Sequence, residues 1–125
     1  MQPAQCDIQI YRGDYFEMTL RLREGTINGA SYTPGAYLDL TDWEPKAEIR
    51  ANVDATGPPL ATLTTEVLDQ TMPGTKGGVH LFLPADTSAA LTATNAVWDV
   101  QLTDTQDRVY TYLRGTVTIT KDVTR

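Results

Sequence analysis

The 125 residues form a chain of the commonest single-domain size, long enough for one hydrophobic core, and two domains of this total length would each be marginal. Apolar residues make up 41% and charged residues 21% of the sequence, a balance that excludes a wholly disordered chain. The formal net charge of −6 argues against nucleic acid or an anionic membrane as the main partner.

The sequence contains a single cysteine, Cys6, so it cannot form an internal disulfide. We interpret Cys6 as a small buried or half-buried residue at the start of a strand rather than as a reactive thiol. No basic segment followed by an apolar one opens the chain, and no apolar run approaches the ~20 residues needed to span a bilayer. These features predict synthesis and folding in a cytosol.

The first part of the chain alternates between apolar and polar residues. Residues 1–5 predict a flexible arm, and residues 6–11 predict a first strand, because side chains in a strand point to opposite faces with a period of two. A turn at 12–14 leads to residues 15–23, which predict a half-buried strand. The predicted inward residues of that strand are Phe16, Met18, Leu20 and Leu22.

Residues 24–42 break this alternation. They combine glycine, proline, asparagine and serine without a period, so they predict a long loop insertion. Apolar and aromatic residues on such a loop suit a surface that another chain covers, because tyrosine brings a large contact area at little entropic cost. The alternative is that the loop folds back over an open end of its own domain, and the sequence leaves both interpretations open.

Three further strands and a short helix are predicted in the middle of the chain. Alternation predicts strands at residues 46–53, 60–68 and 79–83. Residues 84–91 have the composition of one or two helical turns with a polar N-cap. The regular spacing of turn residues between these segments indicates short connections.

A hairpin at residues 97–120 is the central feature of the sequence. The predicted inner face of its first strand consists of Trp98, Val100 and Leu102. The polar segment 105–108 has the length of a loop built on a type I turn, and Asp107 is expected to close it in the left-handed conformation. Gly115 interrupts the second strand and predicts the point at which that strand bends or changes sheets.

About seven strands separated by turns, with one short helical turn, predict an all-β fold in a single domain over residues 1–125. Most of the strands are amphipathic, as in antiparallel sheets with one solvated face, whereas a parallel α/β sheet would show continuous apolar runs. The pattern therefore favours an antiparallel sandwich or a partly open barrel.

Residues with catalytic or metal-binding chemistry are scattered through the sequence. His80 is the only histidine and has no nucleophile motif beside it, and a zinc site requires clustered cysteine and histidine. Glu17, Glu48 and Asp99 are predicted to lie on solvated strand faces. We therefore predict that the chain is not an enzyme and binds neither a cofactor nor a metal.

Four segments carry a resemblance to known proteins: GDYFEMTL, DLTDWEPKAEIR, GGVHLFLPADTSAAL and VWDVQLTDTQDRVYTYLRGTVTITKDVTR. In this order they resemble small structural proteins of tailed bacteriophages, and in particular the N-terminal immunoglobulin-like domains of baseplate and tail proteins. The resemblance covers most of the chain and implies an antiparallel immunoglobulin-like sandwich. The chain departs from the pattern at Asp42, where glycine is usual, and at residues 24–38, which are longer than the usual hairpin.

The resemblance implies a tail or baseplate component of a virion, made in the cytoplasm of the host bacterium. Such a component acts by docking on other phage structural proteins and on copies of itself in a symmetric assembly, and neither nucleic acid nor a membrane is an expected partner. Aromatic residues are enriched at the centres of interfaces. The predicted interface residues are Tyr32, Pro34, Tyr37 and Leu38, with Tyr110 and Tyr112 as a second patch.

Two other functions fit the same sequence. A capsid cement or decoration protein would differ from a tail component only in its location on the particle. A carbohydrate-binding module that recognises the host surface would stack sugars on exposed aromatic residues, for which Trp43, Tyr110 and Tyr112 are the candidates. We favour a core position for both tryptophans, so the structural role remains the leading prediction.

Overall fold

The fold is described by a computed structural model for residues 3–28 and 31–121, with the side chains of residues 25–34 outside the description. Strands dominate it, so the predicted all-β class is confirmed. In chain order the elements are β1 (Ala4–Gln5), β2 (Ile8–Arg12), β3 (Phe16–Arg21), β4 (Arg23–Asn28), β5 (Ser31–Tyr37), β6 (Glu44–Arg50), β7 (Ala61–Val67), β8 (Gly78–Leu83), α1 (Ala85–Ala89), β9 (Asn95–Thr103) and β10 (Val109–Lys121).

Eight of these strands form one sheet in the order β1–β10–β9–β6–β7–β8–β3, and β2 also pairs with β10. Both β1 and β2 run parallel to β10, whereas the other neighbouring strands are antiparallel. The sheet is therefore mixed, and the prediction of a purely antiparallel arrangement is wrong on this point. Alternation in a sequence assigns the faces of a strand but carries no information about the direction of its neighbour.

The sheet curls because β7 changes its partner along its length. Residues 61–63 pair with β6, and residues 64–67 pair with β8. The strands β2 and β3 lie towards opposite ends of the pairing order, yet a short turn joins them in the chain. In that turn Asp14 donates its N–H to the carbonyl of Tyr11 at 2.9 Å, and Gly13 has a φ of 93°.

One face of each long strand contributes to a single hydrophobic core. Burial of these apolar side chains is the main favourable term in folding. Trp98 is 3% exposed and donates its indole N–H to the carbonyl of Cys6 at 2.8 Å, so its one polar atom is satisfied inside the core. The largest fully buried hydrophobic side chains are Ile10, Leu40, Ile49, Leu63, Leu81, Leu83 and Leu102.

The short helix α1 fastens the turn between β2 and β3. Ser88 is fully buried, and its Oγ accepts the N–H of Gly13 at 2.9 Å and donates to the carbonyl of Asp14 at 2.7 Å. A buried hydroxyl needs such partners, because an unsatisfied one would be destabilising. The predicted helical turn is thus confirmed, and it connects the two ends of the curled sheet. The predicted polar N-cap is wrong, because Pro84 occupies the N-cap position and no side chain among the described residues caps the helix.

The loop between β9 and β10 is organised around Asp104. This side chain accepts the N–H groups of Gln106 and Arg108 and the Nε–H of Arg108, each at 2.9 Å. Burial acts to raise the pKa of Asp104, but these hydrogen bonds and the Arg108 charge outweigh it and hold the pKa below its usual range. Asp107 has a φ of 62°, which confirms the predicted left-handed residue.

Gly115 lies where the chain segment between β1 and β2 approaches β10. The N–H of Cys6 bonds to the carbonyl of Arg114 at 2.8 Å, and the carboxylate of Asp7 accepts the N–H of Thr116 at 2.9 Å. A Cβ at position 115 would overlap the carbonyl of Cys6. The glycine therefore permits a close backbone approach, and the bend predicted at this residue lies instead at the irregular register between Thr111 and Leu113.

Two predicted irregular segments form strands. Residues 24–42, predicted as a long loop insertion, contain the antiparallel hairpin β4–β5, which constitutes a separate two-stranded sheet. Ala4 and Gln5, predicted within the flexible arm, pair with Leu113 and Arg114 of β10. These additional strands explain why the described residues form ten strands rather than about seven.

Candidate functional site

The predicted interface residues of the hairpin lie on β5 and directly after it. In the backbone register Tyr32 pairs with Ile27 and Pro34 pairs with Gly25. The side chains of Tyr32 and Pro34 lie outside the described residues, so their contacts form no part of the site geometry. Their role at an interface stays a prediction.

Tyr37 and Leu38 attach the hairpin to the main sheet. The Tyr37 ring lies against two guanidinium groups, with the Arg21 Cζ 3.5 Å and the Arg23 Cζ 4.7 Å from its centroid. Leu38 is half-buried against the core, and its N–H bonds to the carbonyl of Leu22 at 2.9 Å. Both side chains therefore make contacts within their own chain, and their predicted contact with a partner remains a prediction.

Tyr110 and Tyr112 lie at the irregular part of β10. Tyr110 pairs with the buried Leu102, and its ring stacks on Trp43 with centroids 6.2 Å apart. Tyr112 packs partly buried against the core, and burial, followed by the nearby Tyr110 and Asp104, raises the pKa of its hydroxyl. Tyr110 and Tyr112, predicted as a second interface patch, thus form a half-buried aromatic cluster with Trp43, and their role at an interface stays a prediction.

A groove on the outer face of β6, β9 and β10 was missed by the sequence analysis. We call it the sheet groove, and its volume is about 410 Å³. Its charged and amide side chains come from alternate positions of the three strands, whose other positions carry buried residues such as Ile49 and Val100. The side chains from these strands are Lys46, Glu48, Arg50, Asp99, Gln101 and Arg114, and the groove is also lined by Gln5 of β1 and by Asn52, which follows β6.

The strand register places unlike and like charges side by side in the sheet groove. Glu48 pairs with Asp99, and Asp99 pairs with Arg114, so three charged residues form one row across the sheet. Two carboxylates directly opposite each other are destabilising unless cations compensate them. Glu48 is compensated by Arg50, whose Nη2 lies 3.2 Å from its Oε1, and by Lys46, whose Nζ lies 3.6 Å from its Oε2.

Asp99 has no such compensation. It is half-buried, and among the described residues its carboxylate has neither a hydrogen-bond donor nor an ion-pair partner. Burial raises the pKa of Asp99, the charge of Glu48 raises it further, and the charges of Arg50 and Arg114 lower it only in part. An ionisable group with a shifted pKa in a groove is a candidate for ligand binding.

The residues of the sheet groove were visible in the sequence as outward positions of three strands. Glu48 and Asp99 were predicted on solvated faces, but in the structure both side chains are half-buried. The missing information was the pairing order, since β6 and β9 are neighbours in the sheet but far apart in the chain. Both KAEIR and WDVQL alternate polar and apolar residues, but this alternation could not identify the two strands as neighbours.

A second polar cluster lies on the outer face of β3 and β8. His80 Nε2 lies 3.0 Å from Glu17 Oε2, and the His80 ring stacks on Phe82 with centroids 5.4 Å apart. Tyr15 lies 6.0 Å from Phe82 between ring centroids. His80 thus has one acidic partner and one aromatic neighbour, and no nucleophilic side chain bonds to it among the described residues.

The described residues lack a metal-binding cluster. They contain no group of three or more histidine, cysteine, aspartate or glutamate side chains that could hold a metal ion. No helix within residues 3–28 and 31–121 has the length and apolarity required to cross a membrane. A comparison of the chain with known protein families finds no matching family model, and a comparison with curated proteins finds no match either.

Proposed function

We propose that the chain is a structural subunit of a tailed-bacteriophage particle, a tail or baseplate component that docks on neighbouring subunits through the β4–β5 hairpin. The resemblance of four sequence segments to baseplate and tail proteins supports the class of protein. The supporting geometry is the hairpin itself, which pairs only with itself among the described strands. It lies in the segment in which the chain departs most from those proteins.

The separation of the hairpin from the main sheet is the observation on which this proposal rests. A two-stranded hairpin is marginally stable in water on its own. Here the hairpin is fastened at one end, where Leu38 bonds to Leu22 and Tyr37 contacts Arg21 and Arg23. Both of its outer backbone edges lack a partner strand among the described residues, and such edges are suited to pairing with another chain.

Removal of the hairpin is the direct test. Arg23 and Tyr37 are partners in the ladder, so residues 24–36 can be replaced by Asn-Gly, which favours a two-residue hairpin loop. The variant retains Tyr37 against Arg21 and retains the bond between Leu22 and Leu38. We expect the purified variant to fold but to be absent from assembled particles, as measured by mass spectrometry of the particles and by cryo-electron microscopy.

A matched control separates loss of docking from general damage. Val53→Asp changes a side chain that is 80% exposed and lies outside the hairpin, and it should be incorporated at the wild-type copy number. Full incorporation of the hairpin-deleted chain would contradict the proposal. A density map of the wild-type particle would in addition show whether the docked subunit lies on the tail or on the capsid.

A further inference from the structure

Two side chains of opposite charge lie side by side in the sheet groove. The side chains of Asp99 and Arg114 come from paired positions on β9 and β10. Among the described residues neither side chain makes a hydrogen bond or an ion pair, although the guanidinium is close enough to lower the pKa of the carboxyl. Asp99 can therefore still accept hydrogen bonds from a ligand, and Arg114 can still donate them.

The other charges of the sheet groove are already engaged. Both carboxylate oxygens of Glu48 have a cation partner, one in Arg50 and one in Lys46. Arg50 also donates from Nη1 to the carbonyl of Gly57 at 2.8 Å. Asp99 and Arg114 are thus the two charged side chains of the groove that form no ion pair among the described residues, while Lys46 and Arg50 together bring one positive charge more than Glu48 balances.

Apolar surface lies on both sides of this charge pair. At one end the sheet groove is lined by Val53, Ala55 and Val97. At the other end Asp99 and Arg114 also line a second depression of about 460 Å³, whose walls include Val109 and Tyr110. Val53 and Val109 are 80% and 57% exposed, so a ligand could cover apolar surface that now faces water.

We propose that the sheet groove binds a zwitterionic ligand of the α-amino-acid type, with its ammonium group on Asp99, its carboxylate on Arg114 and an apolar side chain against one end of the groove. Hydrogen bonds between charged groups are stronger than neutral ones, and arginine can hold a carboxylate with two parallel bonds. The volume of the groove lies within the range of small-molecule sites.

The need for both charges follows from the geometry. A simple anion could use Arg114 but would leave the half-buried Asp99 carboxylate beside it without a donor. A simple amine could neutralise Asp99 but would lie near the uncompensated guanidinium of Arg114. A ligand that carries both groups a few ångströms apart satisfies the pair together. This inference does not depend on the proposed role in a phage particle.

L-leucine is a suitable probe for the full-length chain labelled with ¹⁵N. We expect it to shift the backbone amide signals of residues 97–101 and 113–116, with a Kd on the order of 1 mM. Two compounds lack one of the charges: 4-methylpentanoate has no ammonium group, and 3-methylbutylamine has no carboxylate. Each should bind at least about tenfold more weakly than leucine, and glycine should bind more weakly because it lacks the apolar side chain.

Variants of the two charged residues test the assignment of the groups. Asp99→Asn and Arg114→Gln should each weaken leucine binding by about tenfold or more, while Glu17→Gln, on the outer face of β3, should leave it unchanged. Absence of shifts at ~10 mM leucine, or equal binding of leucine and the two half-ligands by the wild-type chain, would overturn the proposal. Unchanged leucine binding by Asp99→Asn would also overturn it. Because particle incorporation is measured separately, failure here leaves the docking test unaffected.

Discussion

The main sheet and the β4–β5 hairpin are held in place by different contacts. In the main sheet, strands such as β8 and β9 have one face buried in the core, with Leu81 and Val100 fully inaccessible. The hairpin forms a separate sheet and is fastened at Tyr37 and Leu38. Burial of one face imposes alternation on a strand, whereas a strand that buries no face against a core can have almost any sequence. Stability should therefore be concentrated in the main sheet.

The largest effect is expected from Leu81→Ala, in the centre of β8. This side chain is fully buried, and truncation of such a leucine leaves a cavity that costs about 2–5 kcal/mol in the free energy of unfolding. Urea denaturation followed by tryptophan fluorescence measures the loss.

The hairpin deletion, in which residues 24–36 are replaced by Asn-Gly, should lower the free energy of unfolding by less than Leu81→Ala does, despite the greater number of atoms removed. The opposite order would show that the hairpin stabilises the fold.

The next effect is expected at Gly115, where the main sheet brings two backbone segments together. An added Cβ would overlap the Cys6 carbonyl, so Gly115→Ala must displace the segment that accepts the Trp98 hydrogen bond. Overpacking of this kind costs about 1–3 kcal/mol in the free energy of unfolding. Gly74→Ala is the matched control, because nothing lies within 4 Å of its added Cβ. Equal stability of the two variants would remove the close-approach explanation.

The sequence predicted the strands of the main sheet because their burial leaves a visible pattern. Residues 15–23, 60–68 and 97–120 were assigned to strands, and the structure places β3, β7, β9 and β10 there. Asp107 was identified because few residue types tolerate a positive φ, and the observed value is 62°. In each of these cases the residues of the segment itself were sufficient to predict its conformation.

The remaining features depend on contacts between distant parts of the chain. The parallel pairing of Ile8–Arg12 with the last strand follows from the path of the chain around the core, which alternation does not encode. The sequence of residues 24–42, which contain most of the hairpin, lacks alternation, so its glycine and proline residues indicated a loop. The sheet groove required the register of β6, β9 and β10, and it is this register that makes Glu48 and Asp99 neighbours.

A smaller effect is expected where the hairpin joins the main sheet. Tyr37→Leu removes the ring that contacts Arg21 and Arg23, and each cation–π contact at an exposed site contributes about 0.5–1 kcal/mol to the free energy of unfolding. Tyr37→Phe keeps an aromatic face and should retain most of this stability. Urea denaturation of both variants measures the difference. If phenylalanine and leucine are equally destabilising, the ring face is not the source of the stability.

The smallest effect concerns Asp99, and it depends on pH. The folded state raises the pKa of this carboxyl, chiefly through burial and then through Glu48, so the folded chain binds its proton more tightly than the unfolded chain does. Stability therefore falls as the pH rises from the ordinary pKa of aspartate through the raised folded value. Asp99→Asn removes this loss, and it should stabilise the chain at ~pH 7 by no more than about 1 kcal/mol, since the group is only partly buried.

Thermal denaturation between ~pH 3 and ~pH 7 measures this dependence on pH, and the difference in melting temperature between Asp99→Asn and wild type should vanish at the acidic end.

Asp104→Asn should change the stability in the opposite direction to Asp99→Asn. Hydrogen bonds hold the pKa of Asp104 below its usual range, so its contribution is present above the unfolded pKa and is lost as the pH falls. Asp104→Asn should thus destabilise the chain at neutral pH, where Asp99→Asn stabilises it. If both variants lower the melting temperature at ~pH 7, the unpaired charge assigned to Asp99 is wrong, because only an uncompensated carboxylate gains from neutralisation. If both raise it, the hydrogen-bonded carboxylate assigned to Asp104 is wrong.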